Sequence, residues 1–432
     1  MDRRDFIEKS ATLSLAAMLS TCGPYLYAGQ SDSEVGNMLR KWRRGEFEVH
    51  FIYTGAAESI FMIFPDGTSM LLDCGEQDTQ LLGKRAVPRK PDGSRMSGEW
   101  VARYVQRVNP HGKNVDYMML SHYHCDHAGC DTVYVPQKEG VPPLPYRLSG
   151  FGQAAQYLHF SRAFDRCWPD YTEPIPLLDD KKSVKSQMKA FYDYMHEHEG
   201  LEIERFMVGA KDQVRLLHSP SSYPSFSVRN ICGNGYIASP DGSITDLYAG
   251  EKEGVERINE NGFSLGMIFS YGPFRYYTAG DFSHRFKRSD GTSVDIEKEL
   301  AKVVEACQVS KLNHHGHISM PTELVSALKS RIYISSTWNT RHCTDDTLEH
   351  LMDKSAYQGE RMVCPCFMPS TRLETLKENS RDDLLGALCH DCFEPCHVVL
   401  RVGRGGRRYS VSYISAADES MTVRSVMRFN SV

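Results

Sequence analysis

The sequence predicts an α/β protein, on three observations. Short apolar or alternating runs of strand type recur along most of the 432 residues, and segments of helical period stand between them. Residues of metal-ligand type recur where those strand runs end, in Leu120–Gly129, in Ala279-Gly280-Asp281 and in Asn313–His317. A hydrophobic content of 41% with 24% charged residues is that of an ordinary globular chain, long enough to bury a large core.

In chain order, the charged opening Met1–Lys9 is followed by the modestly apolar Ala11–Leu19 and then by small polar residues, a secretory layout. Arg3-Arg4 with Phe6-Ile7 resembles a twin-arginine signal, which predicts export to the periplasm or cell surface, with residues 1–30 as the signal and 31–45 as a polar linker. Cys22 stands where a lipoprotein would carry its lipid, and an amphipathic first helix of the mature fold is the competing reading. A main domain is expected over 46–416, opening with strands Phe47–Tyr53, Ser59–Phe64 and Met70–Asp73, the last two joined by a turn at Pro65-Asp66-Gly67. Glu99–Val108 has helical period, with Trp100, Val101, Tyr104 and Val105 on one face, and leads to the strand Tyr117–Leu120.

Residues 131–212 fit the pattern poorly. They hold Pro142-Pro143, an aromatic block at Phe164–Tyr171 and a helix at Ser186–His198, and read as an insertion, either a lid over the site or a structural elaboration. Strands are then expected at Val214–His218, Tyr236-Ile237, Phe263–Phe269 and Phe274–Thr278, a helix at Val294–Ala306, and a strand at Val309–Leu312. Thr322–Lys329 (helix), Arg331–Ser336 (strand) and Thr347–Lys354 (helix) continue the alternation. Val398–Val402 and Tyr409–Ile414 read as a C-terminal hairpin on a sheet edge, and 417–432 as a tail.

A net charge of −5 argues against a nonspecific nucleic-acid coat, although a local basic groove keeps nucleic acid among the candidate partners. No apolar run is long enough to span a bilayer, and nothing in the pattern specifies an oligomeric state. Of thirteen cysteines, Cys74, Cys167, Cys232 and Cys307 lie in or beside apolar segments and read as core thiols. Cys364, Cys366, Cys389, Cys392 and Cys396, with His390 and His397, are dense enough for disulfides, a small zinc site or free thiols.

The chemistry concentrates in Ser121-His122-Tyr123-His124-Cys125-Asp126-His127. His122 and His124 are two apart and project the same way while the chain is extended. Imidazole and carboxylate together suit zinc, with manganese or iron as alternatives. This HxHxDH pattern resembles the metallo-β-lactamase superfamily. The resemblance implies a four-layer αββα sandwich with one or two metals: His122 and His124 on the first, Asp126 and His127 on the second, Asp281 bridging, and a late histidine completing the second. Of His314-His315-Gly316, His315 is assigned as that ligand and His314 as the proton donor or oxyanion stabiliser; the reverse assignment stays open. Asp73, in Asp73-Cys74-Gly75, takes a supporting role, and Asp126 or Asp281 would accept a proton.

His-His-Gly, with Asn259-Glu260-Asn261 before a strand and Asn339–His342 after one, resembles the competence-related branch over residues 46–360. That branch includes the nuclease-like domain of DNA-uptake channel proteins and a choline-phosphate esterase. It implies hydrolysis of a phosphodiester or related ester, small or polymeric, by a hydroxide formed on the metal. A lactone or thioester hydrolase of the same fold and a non-catalytic binding protein are the other readings. One departure stands out: a further histidine of the superfamily's first metal site has only His159, His196, His198 and His218 as candidates by position, or is absent.

Overall fold

The first three strands, buried along their whole length, build a sheet that the rest of the chain extends on both sides. A computed structural model describes residues 34–76, 87–129, 144–174, 183–251, 258–282 and 285–431. The signal reading, Cys22 and Pro142-Pro143 fall outside these. β1 (Phe47–Phe51), β2 (Ser59–Ile63) and β3 (Ser69–Cys74) form an antiparallel meander. β4 (Asn114–Met119), β5 (His159–Asp165) and β6 (Glu202–Arg205) then add in parallel. Parallel neighbours need a crossover. α1 (Ser97–Val108) supplies the one from β3 to β4 and buries the expected Trp100, Val101, Tyr104 and Val105.

β7 (Phe226–Gly233), β8 (Tyr236–Ala238), β9 (Ile244–Asp246), β10 (Gly266–Tyr271) and β11 (Phe274–Ala279) start a second sheet, antiparallel throughout. β12 (Arg285–Lys287) and β13 (Ser293–Asp295) pair as a separate ribbon. β14 (Val309–Lys311), β15 (Ile332–Ser335) and β16 (Met362–Pro365) complete the second sheet in parallel, giving eight strands in the order β16-β15-β14-β11-β10-β7-β8-β9. β17 (Cys396–Val402), β18 (Arg408–Ser415) and β19 (Val423–Asn430) return to the first sheet beside β1, giving nine strands in the order β19-β18-β17-β1-β2-β3-β4-β5-β6. The protein is thus mixed α/β, with two large mixed sheets and helices.

One apolar cluster draws on both sheets, including Phe47, Met62, Leu72 and Tyr117 from the first and Val228, Phe269, Tyr276 and Val309 from the second. Phe47 stacks on Phe269 at 5.7 Å, with Phe226 edge-on to Phe47 at 5.5 Å. A second cluster joins other first-sheet residues to α1 and to helices at Phe151–Ala154 and Val184–Glu199. No helix among the described residues is long and apolar enough to cross a membrane.

Several expectations are corrected. Within 131–212, β5 and β6 are strands of the first sheet; the β5 sequence alternates only weakly, and its ladder comes from β4. Val214–His218 is not a strand: Val214 and Leu216 are buried, but the amides of Leu217 and His218 bond the side chains of Thr68 and Asp66 instead of a ladder. Val294–Ala306 divides into β13 and a short helix, Ile296–Leu300, which starts where the Asp295 side chain caps the Lys298 amide. The tail holds β19, and residues 34–45 are docked rather than a free linker, with Gly36 and Leu39 amides bonded to Val423 and Met421 carbonyls.

Phe269→Ala is expected to destabilise the fold by about 3–5 kcal/mol, since the sheets cannot close over the lost ring. Urea unfolding checks this; a change under about 1 kcal/mol would contradict the shared core.

Candidate metal centre

The ligand-type residues stand at the carboxyl ends of β3 and β4 in one sheet and of β11 and β14 in the other. Two backbone bonds tie these ends together, Leu265 N–H to Ser121 O and Gly280 N–H to Leu265 O, both 3.0 Å. After β4 the chain turns into the short helix Cys125–Ala128, which carries Asp126 and His127. That turn lies so close to β3 that a Cβ on Gly75 would fall 1.7 Å from the Asp126 carbonyl oxygen. The same carbonyl accepts the Glu58 amide at 2.8 Å.

Asp73 takes the supporting role expected of it. It accepts from the Ser121 amide and hydroxyl, both at 2.7 Å, and from His127 Nδ1 at 2.8 Å. The bond from His127 Nδ1 leaves its Nε2 facing inward, 3.1 Å from Asp281 Oδ2. Ser121 Oγ spends its hydrogen on Asp73, so its 3.0 Å contact with His122 Nδ1 is donated by the imidazole, and His122 Nε2 keeps its lone pair.

From the other sheet, His315 Nε2 stands 3.1 Å from Asp281 Oδ2 and 3.5 Å from Asp126 Oδ2. Neither contact has the angle of a good hydrogen bond, and Asp281 Oδ1 and both ring nitrogens of His315 are buried without a hydrogen-bond partner. Lone pairs that approach each other yet do not bond are aimed at a common point. Ligand atoms of Asp126, His127, Asp281 and His315 all lie within 4.8 Å of one another, and this buried group has the donor set and spacing to hold a metal ion.

His122 and His124 make a looser half. His122 Nε2 is 3.1 Å from His124 Nδ1 and 3.9 Å from Asp281 Oδ2. Two imidazoles on one tetrahedral zinc would hold their nitrogens about 3.3 Å apart, close to this spacing. None of the four histidines considered as a further ligand reaches this point. His218 pairs with Asp116 at 3.2 Å near the start of β4, five residues and roughly 16 Å from Ser121. His196 bonds the Leu201 carbonyl, and His159 and His198 are exposed.

Two residues of the centre have no counterpart in the sequence reading. Glu58, at the head of β2, places Oε2 3.3 Å from His315 Nδ1 and Oε1 3.0 Å from Lys311 Nζ. Lys311, at the end of β14, is fully buried and also donates to the Ala279 carbonyl. A lone charge in or directly beside a strand is the signal both carried. Glu58, Asp73 and His127 form a second ligand-like trio. Lys311 and the His127 N–H already supply its positive partners, so it supports the centre from behind.

The charges agree with this division. Burial would lower His127 and His315, but Asp281, with Asp73 beside His127 and Asp126 beside His315, holds both imidazoles well above their usual range. Burial would raise Asp126 and Asp281, yet those same imidazoles keep both carboxyls below theirs. His122 is pushed well down by burial and by charged His127, and burial takes His314 down to about 4, so it is neutral at neutral pH.

His314 and His315 both have left-handed backbone, φ 47° and 54°. Asn313 anchors them, donating to Glu297 Oε1 at 2.8 Å and accepting from the Tyr277 hydroxyl at 3.1 Å. His315 also lies between Trp338 and His342, with ring centroids at 4.6 and 4.9 Å. Among the C-terminal cysteines, the disulfide reading is not found: Cys364, Cys366, Cys389, Cys392 and Cys396 are buried and unbridged, as are Cys74, Cys167, Cys232 and Cys307. Cys125, inside the motif, is disulfide-bonded. No family model matches the chain, and no curated protein is significantly similar to it.

Equilibration with zinc followed by gel filtration should leave at least one zinc per chain, and His315→Ala should lose it; zinc retained by that variant would contradict the ligand set. Burial raises the Glu297 carboxyl to about 8, above its unfolded value near 4.5. Its stabilising contribution is complete below pH 4.5 and is lost as pH rises through 8. Glu297→Gln keeps an acceptor for Asn313, so its unfolding midpoint should fall less than that of wild type between pH 5 and 9. Parallel curves would contradict the assignment.

Proposed function

We propose that this chain is an exported, metal-dependent hydrolase of the metallo-β-lactamase superfamily, of its competence-related branch, with the four-layer αββα arrangement. Its substrate on this reading is a phosphodiester or related ester, and its metal is zinc, one or two ions, with manganese or iron as alternatives. The observation that carries the proposal is the convergence of Asp126, His127, Asp281 and His315, from three distant segments, on one point where Asp281 Oδ1 and both ring nitrogens of His315 are buried without a hydrogen-bond partner. A purely structural polar cluster would pair its members.

Bound there, a divalent cation supplies Lewis-acid polarisation of the ester and acidifies a water. The residues divide the remaining work. His127, Asp281 and His315 are almost wholly buried and hold position, whereas Asp126 keeps 17% of its side chain exposed. Asp126 is thus the carboxylate of the group that solvent and substrate reach, and it is suited to accept the proton of the attacking water. His314, neutral and with Nδ1 buried without a hydrogen-bond partner, is assigned here as the hydrogen-bonding group for charge developing on the ester oxygen. Lys311 and Glu58 stay behind the ligands, out of substrate reach.

Zinc-loaded protein should hydrolyse bis(p-nitrophenyl) phosphate, losing activity on chelation and in Asp281→Ala. His314→Ala should keep its zinc and lose about a hundredfold in kcat. Turnover of a lactone or thioester panel without phosphodiester cleavage would shift the substrate class. No turnover of any of these by fully loaded protein would favour a binding protein.

A further inference from the structure

The His122–His124 pair lacks a third histidine, yet its two rings hold a spacing suited to one cation. What holds it is visible at Tyr123, the residue between them. The Tyr123 amide donates to Glu260 Oε1 at 2.9 Å, and its hydroxyl donates to Asp165 Oδ2 at 2.7 Å. The Arg166 guanidinium lies over its ring, 4.4 Å from the centroid. Arg166 donates to both Glu260 oxygens, at 2.6 and 2.7 Å, and to Asn234 Oδ1 at 2.8 Å. Asn234 donates back to the Arg166 carbonyl at 2.7 Å. Asp165 is fixed in turn by the amides of Cys167 and Trp168, each at 2.8 Å.

The Tyr123 hydroxyl and N–H are therefore both gripped, from two separate segments, Asp165-Arg166 and Glu260, with Asn234 holding Arg166 from a third. The arginine side of this pair is 2% exposed and the glutamate 21%. Burying such an ion pair contributes little net stability, because desolvation offsets most of the attraction. Its geometry is what it supplies: a bidentate fork sets the carboxylate plane, and the carboxylate sets the peptide between the two ligand histidines. Rotation of that peptide would swing both imidazoles apart.

We propose that the Arg166–Glu260 pair is the positioning device of the His122–His124 side. Through the Glu260 bond to the Tyr123 amide it does what a third histidine would do by coordination. That side consequently takes a divalent cation on His122, His124 and Asp281, more weakly than the Asp126–His127–Asp281–His315 side, and leaves coordination positions open. The proposal rests on the metal-centre reading above and adds residues that touch neither metal nor substrate.

Cobalt titration of the full chain against a competing chelator, followed by visible absorption and with thermal midpoints recorded alongside, tests it. Wild type should bind a tight and a weaker equivalent, and His124→Ala should lose the weaker one. Glu260→Ala should weaken that same equivalent at least tenfold and leave the tight one within twofold. Glu260→Gln, whose carbonyl still accepts from the Tyr123 amide, should recover part of the loss. If Glu260→Ala does not fold, Glu260→Gln and Arg166→Lys, which loses the bidentate fork, carry the test, each expected to weaken the second equivalent alone. Wild-type affinity for the weaker equivalent in these variants would overturn the proposal, as would equal loss of both equivalents. A single wild-type equivalent unchanged in His124→Ala would overturn it too while leaving the metal reading standing. No cobalt uptake by wild type would reject the metal reading itself.

Discussion

One carboxylate oxygen, Asp281 Oδ2, lies 3.1 Å from His127 Nε2 and 3.1 Å from His315 Nε2. Those two imidazoles come from different sheets, so the point where they meet fixes how the two sheets are joined at this end. Glu58, Asp73 and Asp126 crowd around it with Lys311 as the permanent cation. Burying that much negative charge is costly unless it is paired. The protein meets the cost by setting the His127 and His315 imidazoles against these carboxylates, where a bound cation would also supply compensating charge. Fold and chemistry therefore depend on one electrostatic requirement.

Backbone strain gathers at the same place. Asp73, His314 and His315 all adopt positive φ, at 58°, 47° and 54°, although none is glycine. Each such residue costs on the order of 1–3 kcal/mol and persists only where its surroundings over-determine it. Here the surroundings do: Ser121 and His127 hold Asp73, and Asn313 with Glu297 and Tyr277 holds the histidine turn. Cys343 and Thr344 clasp the same turn through backbone bonds to the His315 and Gly316 carbonyls. A rigid, strained ligand turn is preorganised, so its ordering is completed on folding rather than on metal binding.

Much of the centre was legible in the sequence because its ligands are either contiguous, as in His122–His127, or placed where strong strand patterns end, as Asp281 and His315 are. Glu58 and Lys311 were not, since a single charge in or directly beside a strand has no spacing to read and its partner lies 253 positions away. The contribution of Glu260 was similarly hidden: it reaches the motif through a backbone amide, which any residue offers. For the fold, strong periodicity served well at Ser97–Val108 and β11. It misled at Val214–His218, where alternation serves burial while side chains take the amides. β5 was missed for the opposite reason, because its ladder depends on a neighbouring strand that a local pattern does not contain.

The central claim is that Asp126, His127, Asp281 and His315 converge on a cation, and anomalous diffraction from zinc-soaked crystals, collected on both sides of the zinc edge, addresses it most directly. The account requires a strong edge-dependent peak between these four side chains, about 2.0–2.2 Å from two imidazole nitrogens and the carboxylate oxygens. Zinc bound elsewhere, with none between these four side chains, would contradict it.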